Sequence, residues 1–439
     1  MWSVPALSFL ALAHSAYVRA VPVCSSASAA VATTWYTGWH AQYMPLEGVS
    51  WDKYSSISYA FAMTTPDPSV ILLQDSDKDI LRNLVEMAHQ NNVAALLTVG
   101  GWTGSRYFST AVGSAENRTQ FARALLDMVD KYNLDGIDID WEYPNKQGLG
   151  CNIISNQDTP NFLSFLRELR STDEGRNMTV STATSIVPFA SPNGTPTTDV
   201  SPFAEVLDYV TLMNYDVFGT WSAAVGPNAP LDDTCAPPQY QQGSAVSAIS
   251  AWTTAGFPAN KIVLGVGSYG HSYFVSQDNA FADATQSAAQ ASETTLLAAY
   301  PPFDASLQPL GDSWDAVEPA STDACGNPTA GGPSGIFNFR GLIEKGLLAE
   351  DGTPAAGMGF RFDNCSQTPY VYSPQTSTMV SYDDAQSFAA KGQFIQQSGL
   401  LGFAMWEAAG DYEDMLLDAI SDGMSIGGDS CSMSLNGVI

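Results

Sequence analysis

Two hydrophobic periods alternate along this chain. Eight short apolar runs lie at Thr34 to His40, Ser55 to Ala62, Val93 to Gly100, Gly136 to Tyr143, Met178 to Thr184, Leu207 to Tyr215, Lys261 to Tyr269 and Leu400 to Trp406. Their length and their share of Val, Ile, Tyr and Trp are those of strands. Between most of them the apolar residues recur every three or four positions. Ile80, Leu81, Leu84, Val85 and Ala88 do so within Asp77 to Asn91, Phe121, Leu125, Met128 and Val129 within Ala115 to Tyr132, and Phe162, Phe165, Leu166 and Leu169 within Thr159 to Arg170. That spacing places them on one face of a helix. Further helices are predicted at Gln242 to Ala255, Asp384 to Gln397 and Tyr412 to Ser421. Strands alternating with helices call for parallel pairing, and eight of them are enough to close into a barrel.

The rhythm breaks once. About 130 residues separate the end of the seventh run at Tyr269 from the start of the eighth at Leu400, several times an ordinary barrel connection. Within this interval lie a helical, Ala-rich stretch at 284–299, a Gly/Pro-rich middle around Asp323 to Ser334, and strand-like runs at Gly357 to Phe362 and Tyr370 to Tyr382. These predict a small α+β subdomain over 270–383, with barrel segments at 21–269 and 384–423 and a Gly- and Ser-rich tail at 424–439.

The fourth run carries the most chemistry. In Gly136-Ile137-Asp138-Ile139-Asp140-Trp141-Glu142 the acidic residues alternate with apolar ones, so Asp138, Asp140 and Glu142 share one face. Like charges about 7 Å apart raise one another's pKa, a disposition suited to a proton donor beside a carboxylate. Together with Asp135 the segment reads Asp-x-x-Asp-x-Asp-x-Glu, which resembles the strand-four motif of the family 18 glycoside hydrolases, the chitinases.

The resemblance implies a (β/α)8 TIM barrel whose insertion between strands seven and eight walls a deep groove for a sugar chain. It implies that Glu142 is the catalytic acid, and that the substrate's own acetamido oxygen attacks C1 to form an oxazolinium ion. Asp140 would orient and charge-balance that group while sharing a proton with Asp138. Asp135 is read as a structural hydrogen-bonder. Met213, Tyr215 and Asp216 match the family's strand-six Met-x-Tyr-Asp, in which the Tyr and Asp hold the acetamido group. Trp406 corresponds to the strand-eight Trp that floors the sugar site. Tyr36, Trp39, Trp102, Trp221 and Tyr269 are groove candidates because flat aromatic faces suit flat sugar faces, whereas Trp252 in its helical pattern is read as core. Gly100-Gly101-Trp102 matches a small-residue motif assigned to packing. One departure stands out: Tyr269-Gly270-His271 occupies the place of a Tyr-Gly-Arg, and a His cannot supply the two-pronged fork of an Arg.

Composition narrows the partners. With a formal charge of −28, the chain is a poor match for nucleic acid or an anionic membrane. The apolar run Val4 to Ala13 followed by Val18-Arg19-Ala20 reads as a removable secretory signal over 1–20, and secretion is expected. Four sequons at Asn117, Asn177, Asn193 and Asn364 fit that compartment. So do six cysteines, which allow about 15 pairings that the sequence alone does not choose among; the set expected here is Cys24 with Cys431, Cys325 with Cys365, and Cys151 with Cys235. Their spacing lacks a Cys-x-x-Cys and only four His are present, so neither a metal nor a cofactor is expected. A monomer acting on chitin or chitin oligosaccharides is the resulting expectation. Two alternatives stand beside it: an endo-N-acetylglucosaminidase acting on the chitobiose core of N-glycans, and a chitin-binding lectin without turnover.

Overall fold

The computed structural model describes residues 30–281 and 297–426. Eight parallel strands close on themselves: β1 (Val31–Thr37), β2 (Ser56–Thr64), β3 (Ala94–Gly100), β4 (Gly136–Asp140), β5 (Thr179–Thr184), β6 (Tyr209–Met213), β7 (Ile262–Gly267) and β13 (Gly402–Trp406). Closure comes from β1, which pairs with β13 on one side and β2 on the other, as in Val31 opposite Gly402 and Thr33 opposite Ser56. All eight predicted runs are strands, but β1 ends at Thr37 rather than His40, because the chain turns into a short helix at Gly38–His40. The long helices α1 (Asp77–Gln90), α2 (Ala115–Tyr132), α3 (Asp158–Ser171), α4 (Ala245–Thr254), α5 (Ala385–Gln397) and α6 (Met415–Gly423) belong to the barrel segments.

Local chemistry explains where these elements begin and which way they face. In α2 the Ser114 hydroxyl accepts from the Asn117 amide, and the helix stops at Asn133 in a left-handed conformation that Asn adopts more readily than most residues. Its Phe121, Leu125, Met128 and Val129 are buried against the barrel. The outward faces of the strands, Ile137 and Ile139 among them, join this layer. A separate inner cluster of Trp35, Ala60, Ala183, Tyr209, Val263 and Ala404 fills the barrel lumen. Its small members Ala60, Ala183 and Ala404 leave room for the large rings of Trp35 and Tyr209.

Between β7 and β13 lies a five-stranded antiparallel sheet, made of β8 (Tyr269–Phe274), β9 (Ile336–Asn338), β10 (Gly359–Asp363), β11 (Thr368–Ser373) and β12 (Thr378–Ser381) in the order β9-β8-β12-β11-β10. Two boundaries differ from expectation. The seventh barrel strand ends at Gly267, and Tyr269 already belongs to the insertion's sheet, since Ser268 breaks the parallel ladder. The single run expected over Tyr370 to Tyr382 is a hairpin, turned at Pro374-Gln375-Thr376-Ser377 with Ser377 at positive φ. The predicted 284–299 helix falls mostly outside the described residues.

The disulfides correct the expected pairing. Cys151 bonds Cys325 and Cys235 bonds Cys365, in place of Cys151 with Cys235 and Cys325 with Cys365. Each bridge therefore joins a loop of the barrel to the insertion, whereas the expected pairs kept loop with loop and insertion with insertion. Cys24, Cys431, the expected signal segment and the tail beyond residue 426 lie outside the described residues. No helix among the described residues is long and apolar enough to cross a membrane.

Candidate active site

β4 places Asp138 and Asp140 on the inner wall of the barrel, where they are only 3% and 4% exposed. The two carboxyls meet different surroundings. Asp138 Oδ2 accepts from Trp35 Nε1 at 3.3 Å and Thr98 Oγ1 at 3.1 Å, and Oδ1 accepts from Ser181 Oγ at 2.7 Å. Burial raises its pKa, but all three donors oppose that rise by stabilising the anion. Asp140 Oδ1 is buried with no hydrogen-bond partner among the described residues. Burial, then the charges of Glu142 and Asp138, hold Asp140 protonated well above the usual carboxylate range. Of the two carboxyls expected to share a proton, Asp140 is thus raised further than Asp138, whose three donors favour its anion.

Glu142 lies two residues past the strand, and its position is set through its backbone. Its amide donates to Ser105 Oγ at 3.0 Å, Ser105 Oγ donates to the Asp140 carbonyl at 2.9 Å, and Asn152 Nδ2 donates to the Glu142 carbonyl at 2.9 Å. Its pKa is pushed from an ordinary 4.5 to about 7, chiefly by burial; a hydrogen bond from Tyr143 works against the rise and the charge of Asp216 adds to it. A carboxyl at that value keeps its proton in mildly acidic water and can still release it.

Tyr215 is a neutral phenol, its pKa raised well above 10.0 by burial and then by Asp140, Asp216 and Glu142. Its ring meets Tyr269 edge-on at 6.1 Å. Asp216, at positive φ, receives two hydrogen bonds on one oxygen: Tyr269 Oη to Oδ1 at 2.6 Å and His271 Nε2 to Oδ1 at 2.7 Å. His271 therefore occupies a defined place beside the site, with the exposed Trp221 edge-on to it at 5.2 Å.

The floor is aromatic. Trp406 packs on Phe61 at 5.6 Å and on Trp35 at 5.7 Å, and Trp39 lies 6.1 Å from Phe61. Met213 packs into the same cluster. Trp39, Trp102 and Trp221 are 52%, 51% and 64% exposed, which suits platforms rather than core, while Trp252 is fully buried as its helical pattern predicts. Tyr36 is not brought to the groove. It is 1% exposed, it faces the helix layer, and its hydroxyl donates to the Met44 carbonyl at 2.7 Å. Its neighbour Trp35 takes the inward position and reaches Asp138, a role that strand alternation would have allowed for either residue. Thr98 and Ser181 likewise reach the Asp138 carboxyl from neighbouring strands, Ser105 reaches the backbone of Asp140 and Glu142, and no local motif marks them. Asp135 is structural: at the opposite end of β4 its Oδ2 accepts from the Ala95 amide at 2.8 Å and meets His89 Nε2 at 2.8 Å. A cavity of about 880 Å³ lies elsewhere, on the insertion around Leu307, Leu310 and Phe337, and contains none of these groups.

The geometry agrees with the comparisons. The model of glycosyl hydrolases family 18 matches residues 32–411. A solved chitinase from Rhizomucor miehei superposes with a TM-score of 0.77 at 32% identity, over 89% of this chain and 99% of that one. A chitinase-like effector from Moniliophthora roreri is 51% identical over 399 residues, 91% of this chain and 94% of its own. Chitinase A1 of Niallia circulans is 27% identical over 353 residues, 77% of this chain and 43% of its own. A closed eight-stranded barrel, a row of carboxyls at the end of its fourth strand and a family match over nearly all its described length together place this chain among the family 18 glycosyl hydrolases.

Proposed function

We propose that this chain is a secreted, retaining chitinase that cleaves β-1,4-linked N-acetylglucosamine with the substrate's acetamido group as nucleophile. The observation that carries the reading is the row of carboxyls at the end of β4: Asp138 held by Trp35, Thr98 and Ser181, Asp140 with its buried Oδ1 unpartnered among the described residues, and Glu142 just beyond with its pKa pushed up to about 7. Breaking a glycosidic bond needs an acid at the leaving oxygen and stabilisation of the cation that develops at C1. Glu142 donates its proton to the leaving oxygen as the C1–O bond breaks. The acetamido oxygen bonds C1, and Asp140, whose buried Oδ1 has no partner among the described residues, holds that group together with Tyr215. Glu142, now a carboxylate, takes a proton from the water that reopens the ring. Two inversions at C1 leave a β-anomer.

The name of the Moniliophthora roreri relative, a chitinase-like effector, favours a second reading in which the groove binds chitin without turnover. One experiment separates the two. With partly acetylated chitosan as substrate, the first reading expects cleavage with N-acetylated units at every new reducing end. Deacetylated units appearing there as often would refute substrate assistance, and binding without cleavage would leave the second reading standing. Glu142→Gln should lower kcat by roughly 10²- to 10⁴-fold while chitin oligosaccharides still bind.

A further inference from the structure

The insertion touches the barrel on opposite sides of its mouth. On its own side, Tyr269 and His271 bond Asp216, and Trp314 stacks on Tyr43 at 4.9 Å. Beyond Trp314 the chain runs out as a thin, largely exposed ribbon. Backbone bonds between Glu318 and Gly332 close its base, at 3.2 and 2.8 Å, and Ser321–Thr322 pairs antiparallel with Pro328–Thr329. At the tip the Asp323 carboxylate accepts from the amides of Cys325 and Asn327, both at 2.8 Å, which orders the turn that presents Cys325.

That tip is anchored far from the insertion. Arg106 Nη1 donates to the Ala324 carbonyl at 3.0 Å, and Cys325 is bonded to Cys151 with the Cα atoms 5.4 Å apart. Arg106 follows Trp102 in the loop after β3, and Cys151 lies in the loop after β4, beside the Asn152 that holds the Glu142 carbonyl. In a closed eight-stranded barrel the third and fourth strands stand across the mouth from the seventh and eighth, and the insertion leaves between those two. A ribbon rooted in the insertion and bonded to the loop after β4 therefore links the insertion to the far side of the barrel mouth. Its two-residue ladder is too short to hold such a span alone. The disulfide and Arg106 hold it.

We infer that the ribbon from Glu318 to Gly332, locked by Cys151–Cys325, is a covalent strap across the groove, so that a chitin chain reaches Glu142 end-first beneath it rather than by settling sideways into an open cleft. This rests on the chitinase reading.

The test uses full-length Glu142→Gln protein, which binds without cutting, and two probes: a chitin hexasaccharide, and the same hexasaccharide carrying a bulky streptavidin at each end. With the disulfide intact, the doubly blocked probe should bind at least about 100-fold more weakly than the plain one. In Cys151→Ser/Cys325→Ser on the same background the two probes should bind within a few-fold of each other, the plain probe also reporting that the variant is folded. If that variant fails to fold, replacing the ribbon by a short Gly linker together with Cys151→Ser serves instead. Equal binding of both probes to the disulfide-intact protein would overturn the strap, as would exclusion of the blocked probe from the opened variant as well. Failure of the plain hexasaccharide to bind any of these proteins would instead overturn the chitin reading on which the strap depends.

Discussion

At the scale of single residues, the proposed mechanism gives neighbouring carboxyls different parts, with Asp140 holding the acetamido group and Glu142 donating the proton. For Glu142, with a pKa near 7, kcat/KM on chitin oligosaccharides should fall as pH rises through about 7, because only the protonated acid can donate. The same shift bears on stability. Between about 4.5 and about 7 the folded protein retains a proton that the unfolded chain has lost, so stability declines as pH rises through that window. Thermal melts at pH 5 and pH 8 should therefore differ less in Glu142→Gln than in the parent, and an unchanged difference would remove Glu142 from the account. Asp140→Asn and Tyr215→Phe should each lower kcat, and the double variant should lose less than the product of the two single losses. Both residues are proposed to act on one acetamido group, and groups acting as a unit are not additive. A double-mutant cycle on kcat measures this directly.

Secondary-structure elements bring these residues within reach, and the contact between β3 and β4 is a close one. Gly100 has φ +119°, and a Cβ there would stand 2.0 Å from the Asp140 carbonyl oxygen. The close approach lets β3 end directly against the catalytic strand, and it is why a glycine belongs at this position. Gly100→Ala would have to move β4 or distort its own backbone. It should destabilise the fold by about 1 to 3 kcal/mol and lower turnover with it, as read by thermal melting and kcat on the same preparation. Much of this layer is legible from sequence: every barrel strand announces itself by its apolar run, and the Gly100-Gly101 pair reads as packing. The assignment on β1 is not legible, because Trp35 and Tyr36 are both large aromatics on a strand covered on both faces. Only the pairing of β1 with β13 and β2 in the closed barrel sends Trp35 to Asp138 and Tyr36 to the helix layer.

On the scale of the whole molecule, the barrel and its insertion are tied together at several points. One is a fully buried ion pair, Lys391 Nζ to Asp383 Oδ1 at 2.6 Å, which pins the chain leaving β12 to α5. Removing one partner leaves the other charge buried and unpaired. Lys391→Met should therefore cost about 3 to 5 kcal/mol, whereas Lys391→Met/Asp383→Leu should cost markedly less, because a well-packed apolar pair avoids the desolvation of both charges. Chemical denaturation of the three proteins tests the ordering, and a double variant no more stable than the single would contradict it.

What the sequence determined by itself is whatever short-range periodicity encodes. Periods of two and three to four residues announce the eightfold rhythm, the break after the seventh strand and the shared face of Asp138, Asp140 and Glu142. These features depend only on how side chains project from a local backbone. The tertiary structure alone decided how distant segments meet: which of two adjacent aromatics reaches Asp138, that Ser181 and Thr98 converge on its carboxyl, that Ser105 bonds the backbone of Asp140, that His271 bonds Asp216, and that Cys151 pairs with Cys325 across 174 positions. Such meetings leave no local trace, because any polar residue at a strand end, or any cysteine in a loop, is chemically able to make them, and closure of the barrel selects which ones do.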